Sequence, residues 1–513
     1  MAKTPGGRRP LPSAAATRRL ITLSARKFVI PVNRSRVVPL PKALTAILNT
    51  APALRKAYLV GGCVRDGLLG VPVKDYDIEV FGVSYPNLVE ALSQWGRAEL
   101  VGRSFGTVKL RLASGLTLDF AIPRGTTKGG LQPADPGAYD PRLSPAEAAR
   151  RRDFTINALM YDPRSHQVLD FVGGLEDLRH LVLRHTSDAF CEDPLRVLRG
   201  MQLAARFNLE PAPETVELCR QMKGEYGTIA EPRIWEEWQK WATKSTVPSA
   251  GLRFLVATEW VDCFPELGSL RGTPQNADWH PEGDVFVHSC HSCDAMVRLP
   301  GWQAANLQAK AVYLLATLAH DFGKPSTTRT VEKRGRVRIV SPGHDRAGVL
   351  LAEAFLHRIH APKDLVRRVL PLVKNHLAHL QAPTERAVRR LAQRLVPETI
   401  HGLTLVMMAD HMGRPPKPAS VPESVRALER KAAALRVAEQ APRPVLMGRH
   451  LLALGMSPGP AVGSALADAY DAQLDGAFVS LEEAVRWLAA HSHLSIDERA
   501  WERLRDQASL TDR

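Results

Sequence analysis

The chain contains no apolar, uncharged run of ~18 residues or more, the length that a membrane-spanning helix requires. It also has little cysteine. Six thiols in 513 residues cannot form a disulfide framework, which points to a reducing, cytoplasmic compartment. Acidic side chains are missing altogether before Asp66, whereas Arg8, Arg9, Arg18, Arg19, Arg26 and Lys27 are scattered through that stretch. No apolar core of a secretory signal accompanies them. A basic, acid-free start fits an organellar transit peptide or a disordered tail that touches RNA, and the tail is the reading adopted for residues 1–45. Internal repeats and long low-complexity segments are absent as well.

What is present is positive charge. Lys and Arg number 68 against 53 Asp and Glu, a net charge of +15 with a pI near 9.7. A surplus of that size suits a polyanionic partner, because each neutralised phosphate releases condensed counterions. Cys290 and Cys293 form a lone C-x-x-C in "HSCHSCD". Without a second such pair, two thiols on one helix face outweigh a zinc or redox site.

The length argues for several domains. "KALTAILNTA" reads as a helix leading into the strand "AYLVGG", followed by a strand in "VKDYDIEVFG" and a helix in "SYPNLVEALSQWG". "GTVKLRLASGLTLDFAIPR" reads as a hairpin turning at Ser114-Gly115. The Gly/Pro-rich stretch that follows reads as a mobile loop, around Gly125 to Tyr139. From about Asp188 helical periodicity takes over, with breaks near Pro274 and at "GRPPKPASVP". The expected fold class is α+β: a small mixed-sheet head followed by helical segments.

In "KDYDIEV", Asp75 and Asp77 are two apart and share a strand face. Paired carboxylates repel unless a cation lies between them, and oxygen ligands of this kind suit Mg²⁺, which also binds substrate phosphates. Asp119 in "LTLDFAI" offers a third carboxylate from a neighbouring strand. Such a set can hold two ions that serve an attacking hydroxyl and a leaving pyrophosphate. Gly61 and Gly62, between a strand and a helix, offer backbone amides to phosphate. Arg65 adds a charged donor to the same triphosphate.

"GGCVRDGLL" with "KDYD", then "RRDFTINAL" and "EDPLRVLRGMQLAARF", occur in the order found in class II tRNA nucleotidyltransferases and bacterial poly(A) polymerases, and the chain resembles that family beyond its first residues. The resemblance implies that Asp75 and Asp77 bind catalytic Mg²⁺ and that Arg152, Asp153 and Asn157 hold ribose and phosphates. Asp119 stands where relatives often carry Glu. The resemblance assigns base choice to Asp193 and Arg196 of "EDxxR", with Arg199 also toward the nucleotide. An acid and a base there can accept cytosine and adenine, each of which has an exocyclic amine beside a ring acceptor. The loop around Gly125 to Tyr139 is the expected lever between the two. The three tryptophans of "EPRIWEEWQKW" read as core packing rather than base stacking.

Farther on, His288, the adjacent His320 and Asp321, His344, His376 and Asp410 lie on separate helical segments. Their order resembles the HD phosphohydrolase superfamily in its two-metal form, and "HPEGDVFVH" with "GRHLLALGMSPGP" resembles the HD-bearing branch of bacterial CCA-adding enzymes. These six residues are then the implied ligands, with Asp321 bridging. Ni²⁺ or Mn²⁺ suits the imidazoles, and Mg²⁺ stays open. The expected domains are the tail to 45, a nucleotidyltransferase head over 46–185 and a helical neck over 186–272. An HD phosphohydrolase over 273–415 and a tRNA-binding helical segment over 416–513 complete the set. The expected function is addition of CCA to tRNA from CTP and ATP, with hydrolysis of 2′,3′-cyclic or 2′-phosphates in the HD domain. The alternatives are an A-only or CC-only enzyme, a poly(A) polymerase, or a phosphohydrolase with a nucleotide-sensing head.

Overall fold

The computed structural model describes residues 38–100, 106–125, 139–333 and 335–491. Most of the expected tail, and residues 126–138 of the expected switching loop, lie outside the described residues. The chain divides into two compact units, Met1–Glu192 and Asp193–Arg513. The expected breaks near 272 and 415 fall within the second.

The first unit is built on seven strands: β1 (Ala57–Val60), β2 (Asp77–Val80), β3 (Arg97–Leu100), β4 (Thr107–Arg111), β5 (Thr117–Ala121), β6 (Met160–Asp162) and β7 (Gln167–Leu169). Their order is β3-β4-β5-β2-β1-β6-β7. The β2–β5 pair is parallel and the other pairs are antiparallel. Strands β4 and β5 alternate buried and exposed positions, with Val108, Leu110, Leu118 and Phe120 fully buried, the pattern of a sheet with one face in the core. The expected hairpin joins them, and Gly115 supplies the positive φ (+83°) its turn requires. The helix Lys42–Thr50 begins inside the span assigned to the tail, with Val38 and Leu44 fully buried. Arg164 closes the carboxyl end of this segment by donating to the carbonyls of Leu48 and Leu54.

One strand is shorter than expected. β2 starts at Asp77, so Asp75 lies in its extended lead-in. The reason is the partner: β1 pairs Leu59 with Ile78 and then turns at Gly61 into the helix Gly62–Leu69. Residues upstream of Asp77 therefore meet no β1 backbone. Alternation persists all the same, with Tyr76 and Ile78 buried and Asp75 and Asp77 exposed.

Among the described residues the second unit is mostly helical, with a hairpin, Arg329–Lys333 with Arg336–Val340, and a two-residue strand, Glu210–Pro211. Its helix Leu195–Phe207 buries the expected stripe of Leu198, Met201 and Ala205. In the helix Glu231–Lys244, Trp238 and Trp241 are fully buried, and Trp238 meets Trp241, Phe264 and Phe355 edge-on at 5.1–5.4 Å. Each such contact adds ~0.5–1.5 kcal/mol beyond area burial, so these two rings are core. The last helices, including Pro460–Asp475 and Leu481–His491, share a small core of Leu451, Leu454, Phe478, Val485 and Leu488. Among the described residues no helix is long and apolar enough to cross a membrane.

Candidate active site and metal centre

In the first unit the parallel register sets Asp77 directly beside Asp119. Strand alternation puts both carboxylates on one face. Asp119 Oδ1 is buried without a hydrogen bond, with Lys109 Nζ at 3.6 Å as an ion-pair partner. An acceptor-only oxygen left in that state fits a cation ligand. Gly61 has φ +75°, and a Cβ there would sit 3.2 Å from Arg152 Nη1 and 4.0 Å from Asp77 Oδ2. The turn, the arginine and the carboxylate thus converge on a backbone that only glycine leaves uncovered.

The other expected nucleotide ligands are tied together. Arg65 is 4% exposed; its Nε and Nη2 donate to Asp66 at 2.9 and 2.7 Å, and its Nη1 donates to Asn157 Oδ1. Asn157 donates to Asp153 Oδ1 at 3.1 Å, which also accepts from the Phe154 amide at 2.7 Å. Arg152 is held by buried Glu79 at 3.3 Å, while its Nε has no partner. In the second unit, Asp193 accepts from the Leu195 amide at 3.2 Å and from Arg233 Nη2 at 2.7 Å. That carboxylate stands just before the helix that carries Arg196 and Arg199, whose N-cap position is taken by Pro194. Arg199 lies 3.9 Å from buried Glu237.

The second unit gathers all six expected HD residues, each 9% exposed or less. Two trios have ligand atoms within 4.8 Å of one another: His288, His320 and Asp410, and Asp321, His344 and His376. The head trio of Asp75, Asp77 and Asp119 is not among the described groups of that tightness. Asp321 faces both centres. Its Oδ2 lies 3.2 Å from His320 Nε2 and 3.7 Å from His288 Nε2, and its Oδ1 lies 3.4 Å from His344 Nε2.

Helix ends position this cluster. His320 caps the helix Leu307–Ala319, His344 starts the helix His344–Arg358, and His376 caps the helix Lys363–Asn375. Asp410 lies in the last turn of Ile400–Met412. Two glycines permit the close packing. A Cβ on Gly323 would fall 2.6 Å from the Gly348 amide nitrogen and onto the His344 carbonyl, and one on Gly413 would fall 2.7 Å from the Ser292 nitrogen.

Every imidazole is oriented through Nδ1. Those of His320, His344 and His376 donate to the carbonyls of Thr317, Ser341 and Val373, each at 2.7 Å. That of His288 meets Glu282 Oε1 at 2.8 Å. The four Nε2 atoms are left facing inward, the arrangement that second-sphere acceptors impose on metal-binding histidines. His320 Nε2 is buried without a hydrogen bond, and His344 Nε2 faces His376 Nε2 at 3.2 Å. Two lone pairs at that separation need a proton or a cation between them, so the residues fit a divalent metal.

The protonation states agree. Burial, then the charges of His320 and His344, hold His376 near a pKa of about 3, hence neutral. Burial opposes ionisation of Asp321, but His320 and Lys324 outweigh it and hold the carboxyl well below its usual range. Asp410 is likewise held low against burial by Arg414 and His288. Lys324 Nζ and Arg414 Nη2 each come within 2.6 Å of these carboxylates. A third group, His280, Glu282 and His288, adjoins the cluster. Sequence reasoning passed over Glu282, His280 and Arg414, although "HPEG" directly precedes the segment of His288. Cys290 and Cys293 are buried, desolvation pushes both thiols well above the usual range, and neither belongs to any trio.

Against known proteins, residues 57–184 match the model of the poly A polymerase head domain. The chain is 36% identical over 437 residues to the multifunctional CCA protein of Xanthomonas campestris pv. campestris, spanning 81% of this chain and 97% of that one. It is 35% identical to the protein of the same name from Xylella fastidiosa, spanning 74% and 90%. Among solved structures it is similar to the Thermotoga maritima CCA-adding enzyme complexed with tRNA, with TM-score 0.56, 20% identity and coverage of 90% and 98%. The Bacillus stearothermophilus CCA-adding enzyme in complex with CTP gives TM-score 0.57, 20% identity and coverage of 88% and 98%. At that identity the structures speak for the fold alone.

Proposed function

We propose that this chain, which belongs to the family of multifunctional CCA proteins and is a CCA tRNA nucleotidyltransferase, works from two separate centres, nucleotidyl transfer in the sheet-bearing unit and phosphate hydrolysis at the histidine–aspartate cluster. Its substrates are tRNA, CTP and ATP, and its place is the cytoplasm. The expected division into a head over 46–185, a neck over 186–272, an HD domain over 273–415 and a tRNA-binding segment over 416–513 is proposed with it.

In the first centre the tRNA 3′-hydroxyl oxygen bonds to the α-phosphorus of the incoming nucleotide. The bond from that phosphorus to pyrophosphate breaks, and the hydroxyl proton leaves. Asp75, Asp77 and Asp119 would hold Mg²⁺, which supplies charge neutralisation for the attacking and leaving oxygens. Arg152, poised over Gly61, faces the phosphates, while the buried chain of Arg65, Asn157 and Asp153 keeps the amide-bearing turn in shape. Asp193 and Arg196 read the base edge, with Arg233 fixing the Asp193 carboxylate and Arg199 contributing charge.

The inward-facing set of four Nε2 atoms, each imidazole anchored through Nδ1, carries the reading of the second centre. His288, His320, Asp321, His344, His376 and Asp410 would hold divalent metal, Ni²⁺ or Mn²⁺ by ligand type with Mg²⁺ as the third choice. Held there, it would supply activation of water and polarisation of a phosphoryl oxygen. Lys324 and Arg414 face the phosphate. Water oxygen bonds to the phosphorus of a 2′,3′-cyclic phosphate and the bond to O3′ breaks. O3′ takes a proton, leaving a 2′-phosphate, which a second hydrolysis removes. A free 3′-hydroxyl is what nucleotide addition requires.

The test is incubation with Mg²⁺, tRNA ending at the discriminator base, and labelled CTP, ATP or both. Growth by C, C and A that then stops is expected. A single A added only to tRNA ending in CC, or long A tails, would refute the CCA assignment.

A further inference from the structure

Beside the histidine–aspartate cluster lies a cavity of ≈ 200 Å³, whose walls include Asp321, Lys324, His344, His376, Asp410 and Arg414. Trp279 also lines it, yet this indole is 63% exposed. It is the one indole among the residues that line the cavity, and it stands open to solvent.

The ring is not on a loose segment. Asn276 closes the turn beneath it, its side chain accepting from the Asp278 amide at 2.9 Å and its carbonyl from the amides of Trp279 and His280 at 3.1 and 2.8 Å. Lys417 pins the same turn by donating to the carbonyls of Asp278 and Trp279 at 2.6 and 3.2 Å, with its Nζ 5.4 Å from the indole centroid. His280, the next residue, joins the chain His280–Glu282–His288 through Glu282 Oε1 at 2.8 Å from each imidazole. The exposed ring is thus rigidly linked to a residue of the metal centre.

Size settles what reaches the ring. Clefts that enclose a whole small-molecule ligand run to ~300–1,000 Å³. A cavity of ≈ 200 Å³ takes a phosphate and its ribose and leaves the base at the rim, where Trp279 stands. We infer that Trp279 is a stacking platform for the nucleobase of the RNA's terminal nucleotide, fixing the ribose so that its phosphate enters the cavity beside Lys324 and Arg414. Indole stacking accepts every base, which suits a centre acting before the CCA end exists, on whatever base ends the chain. The inference rests on the phosphohydrolase reading above for its substrate, though not for its test.

The probe pair is adenosine 2′,3′-cyclic phosphate and the base-free 1-O-methylribose 2,3-cyclic phosphate, with Mn²⁺ present. Full-length protein labelled with 5-fluorotryptophan carries nine fluorine sites, one per tryptophan. The resonance missing in Trp279→Phe identifies Trp279. The nucleotide is expected to shift that resonance and the base-free compound to leave it in place. In turnover, Trp279→Ala is expected to raise KM for the nucleotide roughly 5- to 150-fold, equivalent to ~1–3 kcal/mol of stacking. It should spare kcat and leave the base-free compound unaffected, and Trp279→Phe should recover most of the loss. A resonance unmoved by the nucleotide, or moved equally by both compounds, overturns the platform. So does an equal loss on both substrates. A nucleotide-specific shift without any turnover refutes the phosphohydrolase reading and leaves the platform standing.

Discussion

Replacing Gly323 by Ala isolates how far the metal centre depends on backbone proximity. Gly323 has φ −77°, so an alanine there suffers no backbone strain. In an open site the change would stabilise by ~0.4–1 kcal/mol through the unfolded chain. Here the added Cβ lies 2.6 Å from the Gly348 nitrogen and overlaps the His344 carbonyl. Both obstacles are backbone, with no flexible side chain to give way. Ordinary contact begins near 3.4 Å, so the start of the helix His344–Arg358 must retreat by about 0.8 Å or more, and overpacking of this kind costs ~1–3 kcal/mol. His344 moves with it, away from Asp321 at 3.4 Å and His376 at 3.2 Å. Metal sites tolerate ligand displacements of only ~0.2 Å, so the trio of Asp321, His344 and His376 should lose its ion first. The expected outcome is lower Mn²⁺ affinity in titration and lost hydrolysis of 2′,3′-cyclic phosphate, with CCA addition unchanged. Metal affinity and hydrolysis equal to wild type would refute the reasoning and make Gly323 an ordinary turn glycine.

Asp77→Asn should reduce incorporation of both CMP and AMP by roughly 10²–10³-fold or more, while hydrolysis of a cyclic phosphate continues; parallel assays on one preparation check this. Asp193→Asn turns an acceptor-only side chain into one that also donates, and should raise UMP misincorporation relative to CMP, read on tRNA ending at the discriminator base. Cys290→Ala with Cys293→Ala should leave metal content unchanged by elemental analysis and lower stability by about 1–2 kcal/mol in urea unfolding, because the thiols are buried packing groups. Trp238→Ala should cost ~3–5 kcal/mol in the same measurement, because its ring meets Trp241, Phe264 and Phe355 at once.

Local pattern made much of this chain legible. The alternation through Tyr76 to Ile78 and through β4 and β5 is set by which face is buried, and a two-residue period records that directly. The HD residues were legible for a different reason: their order along the chain, His, His-Asp, His, His, Asp, is what resembles the superfamily. The end of β2 was not legible, because it depends on where β1 turns away at Gly61, a partner's property. Arg65 illustrates the same limit. A guanidinium after a glycine turn reads as a phosphate contact; here it also donates to Asp66 and Asn157, and nothing local announces Asn157 as its neighbour. Glu282 and Arg414 escaped notice because they act through His288 and Asp410, which lie 122 residues apart and meet only in the fold. Trp279 gives no signal in sequence at all, since only exposure beside a cavity distinguishes it from a core ring.

The charge arrangement of the histidine–aspartate cluster argues against a merely structural origin. A structural His–Asp pair in a core would be self-satisfied and neutral. Here Lys324 and Arg414 already lie 2.6 Å from the carboxylates of Asp321 and Asp410, and Glu282 is paired with His280 and His288. His376 is neutral, yet its Nε2 lies 3.2 Å from that of His344, and His320 Nε2 makes no hydrogen bond. Leaving buried polar atoms unpaired costs ~1–3 kcal/mol each, and evolution discards such atoms from cores that have no use for them. A dication repays that cost and, with the carboxylates already balanced, leaves the cavity with excess positive charge. Only an anion completes it, which favours the phosphate proposed above over a neutral ligand.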